Sequence, residues 1–240
     1  MTVAPVPGAL SGLSALGTVG GPALSSAAAV LLDMDGTLVL SEQVHRQTWW
    51  RFFDSWGVTV SEEEYERHYL GRRARDVLDE VPGPWTGTDT SAALRAMDEL
   101  AAELSDAVTV VPGAPELLRT LHRGGQPVAV VTSAGRDWAR HVLDVVLGVA
   151  GEVSVLVTAE DVRCGKPAPE GYLLACERLG RAPGDCAGVE DSPSGVRALV
   201  AASVGTVVGI TTTSSAGELQ AAGAGWTVPD LRAEQWAHSA

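Results

Sequence analysis

A chain of 240 residues with 45% hydrophobic content can bury one good core, or a core and a small second unit. Its net charge of −13 and pI near 4.7 exclude nucleic acid and anionic membrane surfaces as partners, and leave small phosphorylated molecules open wherever a local positive site exists. Three cysteines without framework spacing, and no run of ~18 uncharged apolar residues free of Gly and Pro, point to a reduced, cytoplasmic protein with no transmembrane segment.

Residues 1–27 carry no charge and are rich in Ala, Gly, Ser and Pro. They read as a flexible N-terminal tail, since a signal peptide would begin with basic residues. Ala28 to Leu32 is an apolar run that predicts a strand ending at Asp33. Ser41 is placed to cap a first helix that closes at Gly57, with Trp49, Phe52, Phe53 and Trp56 on one face. Ser61 and Glu64 form a capping-box pattern for a second helix ending near Gly71. A turn-rich stretch from Pro82 to Ser91 precedes a third helix reaching about Leu104. Residues 42–109 therefore read as a helical cap inserted after the first strand.

Beyond the insert, apolar runs at 127–131, 153–157, 187–189 and 206–210 predict strands. Helical patterns lie between and around them at 114–123, 136–147, 169–179 and 192–202. Strands alternating with helices predict an α/β fold, a parallel sheet with helices on both faces, built from residues 28–41 and 110–240.

Ligands of open parallel sheets bind at the carboxyl ends of the strands. Those ends carry Asp33 and Asp35, Thr132 and Ser133, and Glu190 and Asp191, with Lys166 in a loop after the third strand. Lys166 is the one lysine beside 16 arginines, which suggests a position that needs a compact ammonium. Phosphoryl transfer explains the set. Asp33 can attack phosphorus, and Asp35 can protonate the leaving oxygen and then activate water. A Mg²⁺ ion bound through one or two of the carboxylates would relieve their crowding around a phosphate, with Asp191, and Glu190 beside it, as the third acidic contributor. Thr132 can hold phosphoryl oxygens, and Lys166 can neutralise their charge. Taken singly, Thr132 also fits a helix cap and Glu190–Asp191 a solvated turn.

Four segments resemble the motifs of the haloacid dehalogenase superfamily. They are Asp-Met-Asp-Gly-Thr-Leu-Val (33–39), Val-Val-Thr-Ser (130–133), Gly-Lys-Pro-Ala-Pro-Glu-Gly-Tyr (165–172) and Gly-Val-Glu-Asp-Ser-Pro-Ser-Gly (188–195). The resemblance implies a Rossmann-like core with Asp33 as nucleophile and Asp35 as acid/base. It also implies Mg²⁺ held by Asp33, the Asp35 carbonyl and Asp191. Asp35 argues against dehalogenation, and a cap without lysine argues against Schiff-base chemistry. His45 and Trp49 are similar to residues of β-phosphoglucomutases. However, Ala74 and Glu99 fall where that subgroup has the arginine and lysine that grip a second phosphate.

The loop Gly71, Arg72, Arg73 and the trailing Arg136 of the second motif look like those of glycerol-phosphate and sugar-phosphate phosphatases. The expectation is a Mg²⁺-dependent phosphatase of a small sugar or polyol phosphate, monomeric or weakly dimeric. Its substrate would meet Ser133, His45, Gly71, Arg72, Arg73 and Arg136. The alternatives are a β-phosphoglucomutase-like mutase, a phosphoglycolate-type phosphatase and a non-catalytic phosphate binder.

Overall fold

The computed structural model describes residues 24–70, 72 and 74–236. Two expected substrate contacts, Gly71 and Arg73, lie outside the described residues, as do residues 1–23 of the expected tail. The strands are β1 (Ala29–Leu32), β2 (Val39–Leu40), β3 (Thr109–Val110), β4 (Val128–Val131), β5 (Val155–Val157), β6 (Cys186–Glu190), β7 (Thr206–Ile210) and β8 (Trp226–Val228). Six of them form one sheet in the order β5-β4-β1-β6-β7-β8, every neighbouring pair parallel. This is the α/β architecture expected from the alternating runs.

Alternation along β1 sends Val30 and Leu32 to one face of the sheet, with Leu31 on the other. The first face is covered by Leu117, Leu118 and Leu121 of α5 (Ala114–Arg123), and by Trp138 of α6 (Arg136–His141) with Val142 and Leu143 of the π-turn that prolongs it. On the second face lie Tyr172 and Ala175 of α7 (Glu170–Leu179), Val196 and Leu199 of α8 (Pro193–Ala201), and Leu219 of α9 (Ala216–Ala222). Central position and two covered faces account for the continuous apolar text of β1, all four residues of which are buried.

Between β2 and β3 the chain makes α1 (Glu42–Ser55), α2 (Glu62–His68), α3 (Ala74–Glu80) and α4 (Ser91–Glu103). These four helices gather a separate apolar cluster of Trp49, Phe52, Phe53, Tyr65, Tyr69, Val77, Leu78, Trp85 and Met97. The aromatic stripe of α1 thus serves this cluster. Helix α4 also packs on α6, so the insert leans on the sheet layer beside the second motif.

Five strands were expected in the sheet and six are present, β8 being the addition; α3 was not expected either. The Ser61–Glu64 capping box forms as predicted. Ser41 differs: its side chain makes no cap hydrogen bond and instead donates to Asp35. Leu24, within the expected tail, is buried in the first core, and the Gln126 amide holds the carbonyls of Leu24 and Ala27. Among the described residues no helix is long and apolar enough to cross a membrane.

Candidate active site

Pairing of Leu32 with both Val130 and Val189 brings Asp33 level with the ends of β4 and β6, at the middle of the sheet's carboxyl edge. Lys166 arrives there from the loop before α7. Its Nζ lies 2.5 Å from Asp33 Oδ1 and 2.6 Å from Glu190 Oε1, and donates to the Val131 carbonyl at 3.1 Å. A single ammonium therefore bridges two buried carboxylates.

Glu190 is fully buried and both of its oxygens are engaged. Oε1 accepts the Tyr172 hydroxyl at 2.7 Å as well as Lys166. Oε2 accepts the Asp191 and Ser192 N–H groups and the Ser192 hydroxyl. Its position is that of a bracket for the lysine and for the turn that presents Asp191.

Asp33 Oδ2 is buried and has no hydrogen-bond partner among the described residues. Asp33, Glu190 and Asp191 offer carboxylate oxygens that all lie within 4.8 Å of one another. Burial raises the Asp33 pKa to about 7 against the pull of Lys166, and Glu190 and Asp35 push it the same way. Asp191 is raised by burial and then by Asp33 and Glu190. An orphaned buried oxygen, facing a second carboxylate that repels it, is the donor set a hard cation such as Mg²⁺ fits. With Glu190 engaged elsewhere, Asp33 and Asp191 are the residues free to serve it. Thr213 Oγ1 donates to Asp191 Oδ2 and steadies it.

Asp35 is followed by a sharp turn through Gly36, whose φ is +90°, closed by Leu38 N–H donating back to the Met34 carbonyl at 2.8 Å. Three groups meet Asp35 Oδ1: the Ser41 hydroxyl at 2.5 Å, His45 Nε2 at 3.0 Å and the Trp138 indole N–H at 3.1 Å. Among the described residues, Oδ2 has only the Thr132 hydroxyl, at 3.3 Å. Burial alone would raise the Asp35 pKa, but His45 and these donors outweigh it and hold the carboxyl below its usual range. His45 is raised in turn, Asp35 and Glu42 overcoming its desolvation. The Thr132 hydroxyl accepts the Ala134 N–H at 3.0 Å, which fixes the loop carrying Ser133.

Asp33, Asp35, Thr132, Ser133, Lys166, Glu190 and Asp191 thus share one edge, with His45 of the insert above them. Two arginines face elsewhere. The Arg136 guanidinium pairs with Asp161 at 2.9 Å, and its N–H goes to Glu160. Arg72 pairs with Glu80 of α3 and donates to the His68 carbonyl. Four contributors had no expected role here: Ser41, Trp138, Tyr172 and Thr213. Tyr172 closes the third motif-like segment, and Trp138 lies within the helix expected at 136–147.

The sequence pattern of haloacid dehalogenase-like hydrolases matches residues 27–203. The chain belongs to that family. It is 37% identical to the validoxylamine A 7'-phosphate phosphatase of Streptomyces hygroscopicus subsp. limoneus, across 87% of this chain and 96% of that one. Hexitol phosphatase A of Escherichia coli is 36% identical across 72% and 78% of the two chains. A β-phosphoglucomutase of Mycobacterium tuberculosis is 30% identical across 85% and 89%. Among solved structures, a hydrolase from Pseudomonas syringae superposes with a TM-score of 0.70 at 26% identity, covering 85% of this chain and 94% of its own. The enzyme class expected of this haloacid dehalogenase-like hydrolase, phosphoric monoester hydrolysis, is that of the two most similar of these relatives.

Proposed function

We propose that this hydrolase is a Mg²⁺-dependent phosphatase of a small sugar or polyol phosphate, working through phosphorylated Asp33. The observation that carries the reading is the buried pair of carboxylates two residues apart with opposite surroundings: Asp33 keeps one oxygen unpartnered, while Asp35 is ringed by donors. The names of the two relatives, a validoxylamine A 7'-phosphate phosphatase and a hexitol phosphatase, support the substrate class.

Asp33 and Asp191, with the Asp35 carbonyl, would hold Mg²⁺, which would supply charge neutralisation for the incoming phosphate. Lys166 neutralises further charge and fixes the rotamer of Asp33. Asp33 attacks phosphorus, and Asp35 protonates the departing alcohol. Asp35 then removes a proton from the water that hydrolyses the phosphoryl-aspartate. Residues 42–109 serve as a cap that covers this edge and excludes water, with His45 as its contact to the site. The free thiols Cys164, Cys176 and Cys186 suit a reducing, cytoplasmic setting.

The test is phosphate release with Mg²⁺ across glycerol, pentose, hexose and hexitol phosphates and phosphoglycolate. Release from one or a few sugar or polyol esters is expected. Asp33→Asn should lower it on the order of 10³-fold or more, and excess EDTA should abolish it. No release anywhere, with glucose 1-phosphate turning into glucose 6-phosphate, would establish a mutase instead.

A further inference from the structure

Three donors converge on one oxygen of Asp35, and they come from different parts of the molecule. His45 belongs to α1 of the insert, and Ser41 sits at the junction where the insert begins. Trp138 is the donor rooted in the sheet layer. It is 1% exposed, lies within the first core cluster and stacks on His141 with planes 18° apart. Its ring also meets His45 edge-on, with centroids 5.6 Å apart. Any shift of the insert moves His45 relative to Asp35, whereas the indole stays with α6.

A carboxylate oxygen has two in-plane acceptor directions. Oδ1 already meets three groups, so it has no room for a proton to be given to a substrate. Oδ2 meets only Thr132 among the described residues, at 3.3 Å. We propose that Trp138 is a positioning residue that fixes the rotation of the Asp35 carboxyl, so that Oδ2 is the oxygen that exchanges protons with substrate and water. The inference rests on the proposed role of Asp35 as acid and base. In the first half-reaction the Oδ2 proton passes to the leaving oxygen as its bond to phosphorus breaks and the Asp33–phosphorus bond forms. In the second, the attacking water returns a proton to Oδ2 as the Asp33–phosphorus bond breaks.

The test exploits the leaving group. An alkyl phosphate expels a strongly basic alkoxide that needs a proton, whereas p-nitrophenyl phosphate expels a weakly basic phenolate that does not. The ratio kcat/KM reports the steps up to loss of that group. Trp138→Phe keeps an aromatic ring and deletes the N–H. It should lower kcat/KM for the sugar phosphate about tenfold and for p-nitrophenyl phosphate by less than about twofold, in the same direction as a larger split in Asp35→Asn. Equal losses on both substrates would mean a packing role and overturn the proposal. A split in Asp35→Asn with none in Trp138→Phe would also overturn it, while sparing the phosphatase reading. Absence of activity in the unaltered enzyme would sink both.

Should Trp138→Phe fail to fold, ¹⁵N-indole spectra provide the reading. Asp35→Asn should shift one of the indole N–H resonances of the otherwise unaltered protein, and no shift would refute the contact.

Discussion

Lys166 illustrates how much one residue can settle. Its nitrogen sits between Asp33 Oδ1 and Glu190 Oε1, at 2.5 and 2.6 Å, and it is 13% exposed. A guanidinium is a wide planar fork and cannot bring one nitrogen into that gap without displacing a carboxylate. Lys166→Arg should therefore fold yet lose about 100-fold or more in kcat/KM on the best ester. Activity within threefold would show that only positive charge is required. The position stood out in the sequence because arginine occupies all the other Lys/Arg positions. The role of Glu190 was only half legible. It was placed at the site, but the Tyr172, Ser192 and Asp191 contacts that occupy its oxygens join segments far apart in the chain. Ser41 was misread as a cap and Trp138 was not singled out for a similar reason: only the fold brings both to Asp35.

Among the elements, those with a full apolar face were legible and the shortest were not. Helix α5 begins and ends where its pattern predicts, and β7 spans the expected run. Strand β8 has three residues at the sheet edge with Trp226 exposed, so no burial alternation marks it. Helix α3 buries only Val77 and Leu78 over seven residues. The turn after β1 is an element in which conformation and contact combine. Gly36 has φ +90°, and a Cβ there would stand 2.0 Å from Asp191 Oδ2. Gly57, at the end of the first insert helix, has φ +65° but open space around the same position. Both Gly→Ala changes bear the backbone cost of about 1–2 kcal/mol, but only Gly36→Ala must also move Asp191. The thermal midpoint should fall further in Gly36→Ala than in Gly57→Ala, and Gly36→Ala alone should lose Mg²⁺-dependent turnover. Equal turnover in the two would refute a link between this turn and the site.

At the scale of the whole molecule, the insert and the sheet layer meet at an acidic seam. A Cβ on Gly135 would lie 2.5 Å from Asp98 Oδ2, so α4 presses its carboxylate against the second-motif loop. Burial, then Glu160 and Asp137, raise the Asp98 pKa from 3.8 to about 6, with His45 opposing. The folded protein binds this proton more tightly than the unfolded chain. Its contribution is therefore fully present below about pH 4 and is lost as pH rises through about 6. Asp98→Asn should remove that dependence. Urea denaturation should find the variant more stable than the unaltered protein at pH 8, with the advantage shrinking or gone at pH 4.5. A pH-independent difference would contradict the seam.

The stem of the insert bears on how such an enzyme diversifies. Val39 pairs with Val110 and Leu40 with Thr109 in the antiparallel β2–β3 ladder, which sets the two crossing points only about 5 Å apart. To the sheet, everything between them is equivalent to the tip of a hairpin. The entropic cost of closing such a tip grows only with the logarithm of its length. Segments of other lengths and shapes can be spliced at that stem while Asp33, Asp35, Lys166 and Asp191 keep their places, so preference for one ester or another can be inherited by exchange of a cassette.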